Sequence, residues 1–281
     1  MTQQDILRGR VAVVTGSTRG LGFAMARLLG HRGATVVVAS RSESHVRAAV
    51  ERLKAEGVAV SGRCCDTGEL ADVEALRDEA LGRGTLDIWV NNAGTAGVYG
   101  PTASTPVEDF TRVVRTNILG TFHGSRIALP VFLAQGHGDL VNVYGRGDHG
   151  PVALQNAYAS SKRWVRQFTE TLRLETKGTG VRVHGMNPGL VITDMLQRVT
   201  SQPGYDQRLS ALQVVIGLWG QLPDAAARPL LDLVTSDAAQ FRDLTKPVLL
   251  ARGLRNMLAG RLRRTNRMPL DVALLDANPG D

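Results

Sequence analysis

The sequence predicts an α/β protein, a parallel sheet held between two layers of helices. Three observations carry this. Apolar runs of strand length alternate with segments of helical period over the first two thirds of the chain. The first run leads straight into a glycine-rich turn and then a helix-like stretch. A chain of 281 residues can bury one large core, so a single domain over 1–281 is expected rather than two.

Taken in order, Val11 to Thr15, Thr35 to Ala39, Val58 to Cys64, Leu86 to Val90, Leu140 to Val143 and Val181 to Met186 read as buried strands. Leu21 to Gly33, Glu43 to Glu56, Glu69 to Gly82, Val107 to Ala134 and Ala157 to Lys177 read as the helices between them. Strand-helix alternation of this kind implies a doubly wound, Rossmann-like sheet in three α/β/α layers. In such sheets a ligand lies beyond the carboxyl ends of the strands, so the residues that follow each strand are the place to look for function.

After Met186 the regularity fades. Residues 190–222 hold Pro203, Gly204, Gly217 and Gly220 as breakers, with Pro223 just beyond, and their position beside the expected cleft suits a substrate lid. A last strand is expected at Pro247 to Leu250. Residues 246–281 form a basic extension with Lys246, Arg252, Arg255, Arg261, Arg263, Arg264 and Arg267. Leu254, Met257, Leu258 and Leu262 fall on one side of a helix there, which could rest on a membrane surface, cover an apolar substrate or simply pack on its own domain.

Composition narrows the classes. The hydrophobic share is 43% and the charged share 21%, as in soluble globular chains. Thirty-three Lys and Arg against 26 Asp and Glu leave +7, and much of the excess sits in the tail, so no nucleic-acid partner is expected. The only cysteines are the neighbours Cys64 and Cys65, which cannot build a disulfide framework. With a polar amino-terminus and no run of 18 apolar residues, a cytoplasmic protein without a signal peptide is expected.

The stretch TGSTRGLG, residues 15–22, places Gly16, Ser17, Thr18, Arg19, Gly20, Leu21 and Gly22 between a strand and a helix. Glycine lets the backbone turn tightly and approach a phosphate, and the helix amino-terminus offers unpaired N–H groups. At the end of the second strand, a carboxylate would favour the ribose hydroxyls of NAD; the chain has Ser40 and Arg41 instead. Together with Arg19, these suit a 2′-phosphate, and NADP(H) is the expected cofactor.

Five motifs occur in order: the glycine loop, Asn91-Asn92-Ala93-Gly94, Asn117 in TNILG, Tyr158-Ala159-Ser160-Ser161-Lys162, and Pro188-Gly189 with Thr193. Over residues 8–195 the chain resembles the short-chain dehydrogenase/reductase family. The resemblance implies that Asp66 meets the adenine, that Asn92, Ala93 and Gly94 flank the adenosine ribose, and that Pro188, Gly189, Val191 and Thr193 hold the nicotinamide amide. It further implies that Tyr158 exchanges a proton with the substrate oxygen. Lys162 would hold the nicotinamide ribose and lower the tyrosine pKa by its charge, and Asn117 would hold a water linking Lys162 to solvent. A homo-oligomer is also expected.

One position departs from the family pattern. The serine thirteen residues before the tyrosine, which polarises the carbonyl, is Gly145 here, and residues 141–155 contain neither Ser nor Thr. Losing one such donor costs on the order of 3–4 kcal/mol in the transition state, which slows hydride transfer without abolishing it. Tyr144, Arg146 and His149 share the loop, and either its N–H groups or Tyr144 are the expected substitutes. GRGDHG, AYASSKRWVRQF and NPGLVITDML are similar to the serine-less branch that includes chlorophyll b reductase.

The expected function is NADPH-dependent interconversion of a carbonyl and an alcohol on a bulky, largely apolar small molecule. Two alternatives stay open at this point: non-redox chemistry on the same scaffold, as a dehydratase, isomerase or cyclase, and a non-catalytic NADP(H)-binding protein.

Overall fold

The computed structural model describes residues 5–243, 245–259 and 270–275. Six strands follow the predicted order: β1 (Val11–Thr15), β2 (Thr35–Ser40), β3 (Val60–Cys64), β4 (Leu86–Asn91), β5 (Gly138–Val143) and β6 (Val181–Asn187). Between them run α1 (Gly20–His31), α2 (Glu43–Ala55), α3 (Leu70–Leu81), α4 (Val107–Val113), α5 (Gly120–Gln135) and α6 (Asn156–Glu175). The remaining elements are α7 (Asp194–Gln197), β7 (Arg198–Ser201), α8 (Leu212–Trp219), α9 (Pro223–Ala227), α10 (Pro229–Thr235), β8 (Gln240–Arg242), α11 (Lys246–Leu258) and β9 (Asp271–Leu274).

The main sheet has the order β3-β2-β1-β4-β5-β6-β8, and every pairing in it is parallel. Strand order reverses between β1 and β4, the switch point at which ligands bind in open α/β sheets. Side-chain alternation splits the core into two layers. Ala12, Val14, Val36 and Val38 face one way, into a cluster with Phe23, Met25, Leu29 and Leu230. Val11, Val13, Val37 and Ala39 face the other, against Val73, Leu76, Ala128 and Phe132.

Three expectations are corrected. Pro247 to Leu250 is not a strand; it lies in the first turn of α11, where the missing proline N–H is no loss. The seventh strand is β8 instead, three residues with too little apolar content to register as one. The single helix expected over 107–134 is broken by a π-helical turn at Val114–Leu119, which carries the buried Asn117.

The segment 190–222 is tied down at both its base and its middle. Ile192 N donates to Gln221 O and Gln221 N to Leu190 O, while Ser201 and Gln202 are buried. Helix α11 docks on α8: Trp219 Nε1 donates to Leu249 O (3.0 Å) and Asn256 Nδ2 to Leu218 O (2.8 Å). Arg252 pairs with Asp243 through two contacts of 2.5 and 2.6 Å. This leaves Leu250, Leu254, Met257 and Leu258 exposed. Leu262, Arg261, Arg263, Arg264 and Arg267 lie outside the described residues. No described helix is long and apolar enough to cross a membrane.

Candidate active site

The turn from β1 into α1 is built as a phosphate cradle. Gly16 has φ +64°, and a β-carbon there would approach Ala93 Cα to 2.9 Å. A β-carbon on Gly22 would collide with the Gly16 carbonyl. Arg19 occupies the N-cap of α1 without a capping side-chain bond, so the first-turn N–H groups remain available to an anion. Ser17 serves the sheet instead. Buried, it donates to Val14 O (2.6 Å) and accepts from Ala39 N (3.0 Å), tying β1 to β2. Asn92 also turns to the protein, its Nδ2 donating to Thr15 O and Gly16 O at 2.9 and 3.2 Å. The side chains of Ser17 and Asn92, expected as cofactor contacts, therefore shape the loop and leave its backbone to meet the ligand.

At the end of β2, Ser40 is half-buried and Arg41 exposed, and the Arg41 guanidinium has no partner among the described residues. No carboxylate follows the strand directly. Arg19 reaches Asp194 at 3.2 Å in an exposed pair, a weak contact in high dielectric. Asp66 is engaged on one side, accepting from Gly68 N at 3.0 Å. Thr193 stands over Gly20, where a β-carbon would come within 3.1 Å of its Cγ2. The Pro188-Gly189 segment is thereby drawn to the glycine loop, with Pro188 O accepting from Gln221 Nε2 (2.6 Å) and Val191 bridged to Gln221. An uncapped helix terminus, a glycine cradle and an unpaired arginine together fit a nicotinamide dinucleotide.

The chemical end stands on the first two turns of α6. Tyr158 and Lys162 share a face by their i, i+4 spacing, and Lys162 Nζ lies 5.9 Å from the centre of the Tyr158 ring. Lys162 is buried, and its Nζ donates to Val143 O at 3.0 Å. Burial lowers its pKa to about 8, with the charge of Asp148 opposing the shift. Burial pushes the Tyr158 phenol up to about 12, and Asp148 adds to it, which corrects the expectation that the charge of Lys162 brings it down. The phenol oxygen has no hydrogen-bond partner among the described residues and is free to meet a substrate. Asn117, buried in the π-helical turn, donates to Thr95 O (3.0 Å) and Ser161 Oγ (2.9 Å) and accepts from Thr95 N (2.8 Å). Its backbone carbonyl takes the Thr121 hydroxyl at 2.8 Å.

Gly145 lies against the phenol. A β-carbon at residue 145 would overlap Tyr158 Oη and stand 3.3 Å from both Tyr158 Cζ and Lys162 Cγ. The absent side chain is thus part of the packing of the tyrosine. Tyr144 does not replace the serine, which corrects one of the two expected substitutes. Its hydroxyl packs against Gly185 of β6 and beside Thr169, away from the Tyr158 end of α6. Strand alternation explains this direction: Tyr144 continues the face of Asn142, which donates to Thr169 Oγ1.

The N–H groups of Gly145, Arg146 and Gly147 have no partner among the described residues, while Asp148 N donates to Gly145 O at 3.2 Å. Arg146 is exposed. His149 is exposed too, and its Nε2 accepts from Arg166 Nη1 at 2.5 Å. Burial and the neighbouring arginines lower the His149 pKa against the pull of Asp148. Asp148 itself was missed by sequence reasoning. It is 3% exposed, and its Oδ2 has no hydrogen bond, only Arg166 and His149 at 3.8 and 3.6 Å. An acid inside a glycine-rich loop beside the catalytic helix was the available signal.

Comparison with known proteins matches this geometry. A family model of short chain dehydrogenases covers residues 10–204. A putative ketoacyl reductase of Streptomyces coelicolor is 35% identical over 252 residues, spanning 85% of this chain and 94% of the relative. Chlorophyll(ide) b reductase NOL of Arabidopsis thaliana is 39% identical over 192 residues, 66% of this chain and 55% of that protein. An actinorhodin polyketide ketoreductase variant solved with NADPH superposes with a TM-score of 0.77 at 30% identity, covering 88% of this chain and 99% of the other. Other proteins of this fold are solved with NADP or with NADH. The likeness to both ketoacyl reductases and the chlorophyll b reductase branch stands, and the non-redox and purely binding alternatives give way: the chain belongs to the short chain dehydrogenase family and is an oxidoreductase acting on carbonyl or alcohol groups.

Proposed function

We propose that the protein is an NADPH-dependent reductase of a carbonyl on a bulky, largely apolar small molecule, working as a cytoplasmic homo-oligomer. The observation that carries the reading is the Tyr158–Lys162 pair: a phenol without a protein partner, over a buried ammonium, on α6 beside the carboxyl end of β5. The preference for NADPH rests on the unpaired Arg41 and on the missing acid after β2. The preference for an apolar substrate rests on Leu222, Val214 and Met195, which lie exposed in the segment that follows the Pro188-Gly189 turn.

Bound reduced nicotinamide supplies the hydride; the chain supplies position and proton. The Tyr158 phenol carries the proton given to the substrate oxygen as that oxygen becomes an alcohol. Lys162, charged and held at Val143 O, stabilises the phenolate that remains. Asn117 joins the loop after β4, at Thr95, to α6, at Ser161, and so holds the two together beside the lysine. In place of the serine hydroxyl, the free N–H groups of Gly145, Arg146 and Gly147 are the donors available to the carbonyl oxygen.

The test is NADPH oxidation against 2-tetralone, a fused bicyclic ketone, with the alcohol quantified in parallel. One alcohol per NADPH supports the reading. NADPH binding without turnover across a panel of bulky ketones and their alcohols overturns it.

A further inference from the structure

The described residues contain one non-glycine with positive φ, Leu154 at +66°, four positions before Tyr158. A branched side chain in the left-handed region is unfavourable and persists only where neighbours hold it. The neighbour is Gly100, whose N–H donates to Leu154 O at 3.0 Å while Gly100 bridges Gln155 in parallel pairing.

Gly100 is fixed in turn by Gln202. Gln202 is 4% exposed, and its side chain fills the place where a β-carbon of residue 100 would stand. Its Nε2 donates to Pro101 O (3.3 Å) and Thr105 Oγ1 (3.4 Å), and its Oε1 accepts from Ser104 Oγ (2.5 Å). Along the backbone, Tyr99 N donates to Thr200 O (2.8 Å) and Gln202 N to Tyr99 O (2.9 Å). The outer side of the same segment is closed by the tail: β9 pairs with β7 in parallel, and Leu275 N donates to Ser201 O at 2.8 Å.

We infer that Gln202 is a positioning residue for the reaction, and that with the tail strand β9 it forms a clasp holding Leu154 and the start of α6 so that Tyr158 stands at the substrate oxygen. The path runs β9, β7, Tyr99-Gly100, Leu154, Tyr158, each step but the last a backbone hydrogen bond, the last the first turn of α6. Segment 190–222 thus reaches the chemistry through the backbone. This function of the clasp rests on the reductase reading, because its kinetic readout is ketone turnover.

Two measurements test it. In the wild-type chain, amide exchange at Gly100 and Gln202 should be slow, and Leu275→Pro, which removes the outer donor, should speed it. Gln202→Ala should lower kcat with 2-tetralone by about tenfold, as misplacement of a reacting group does, while the Kd for NADPH changes by less than about twofold. Adding Leu154→Gly, which takes a positive φ without help, should recover most of the lost kcat. A merely structural role would lower the melting temperature without this rescue. Fast exchange at Gly100 in the wild type, an unchanged kcat in Gln202→Ala, or a loss that Leu154→Gly leaves in place would each overturn the clasp. If the wild type turns over no ketone, the reductase reading falls, and the exchange data alone decide whether the clasp exists.

Discussion

The Tyr158 phenol occupies the space that a side chain at Gly145 would need. The two residues are therefore one unit: glycine at 145 is the condition for this position of the tyrosine. Restoring the serine that the family pattern carries should harm the enzyme. Gly145→Ser and Gly145→Ala are expected to lower kcat alike, by about tenfold or more, because both push the phenol off the reacting geometry. A faster Gly145→Ser enzyme in steady-state turnover would mean that the hydroxyl matters more than the displacement.

Tyr158→Phe removes the phenolic proton while keeping the ring. The expected loss in kcat is about 10²–10⁴-fold with the Kd for NADPH nearly unchanged, measured by turnover and by fluorescence titration. A variant as active as the wild type would place the proton donor elsewhere.

Arg41 has no protein partner among the described residues, so its loss should be felt by the 2′-phosphate alone. Arg41→Ala is expected to weaken NADPH binding by about 10–100-fold, the worth of one charge-assisted pair, and NADH binding by less than about twofold. Calorimetric titration of both cofactors checks this; equal losses would remove Arg41 from the account of specificity.

Much of this site was legible because it is local. Glycine turns, an i, i+4 pair on one helix and an absent acid at a strand end need only a few residues of context, and Gly16, Lys162 and Arg41 stand where that context put them. The direction of Tyr144 was also available, since period-two alternation sets it on the face of Asn142. What was not legible lies in long-range pairing. β8 is three residues whose identity as a strand comes from β6 alone, and β7 is made by partners near residues 99 and 271. The π-helical turn at Asn117 is a one-residue change of hydrogen-bond register inside a continuous helical run, and a pattern of apolar positions over 107–134 does not single out where it falls.

Burying the Lys162 charge should destabilise the fold at neutral pH. Its pKa falls from 10.5 to about 8 on burial, so the unfolded chain binds the proton more tightly across that interval. The cost is fully present below pH 8 and is relieved as pH rises from 8 toward 10.5. Lys162→Met should therefore be more stable than the wild type at pH 7, by roughly 1–3 kcal/mol once the lost bond to Val143 O is set against the shift, while being inactive. The advantage should shrink by about pH 10 in urea denaturation. A variant less stable at neutral pH would show that the Val143 bond outweighs desolvation.

The most direct test of the central claim follows the hydride itself. The wild-type chain would be given 2-tetralone and NADPH deuterated at the transferable C4 position, and the product read by mass spectrometry. The expected result is one deuterium at the carbinol carbon for each NADPH consumed, with the signal lost in Tyr158→Phe. Alcohol without deuterium, or deuterium transfer that survives Tyr158→Phe at the wild-type rate, would contradict it.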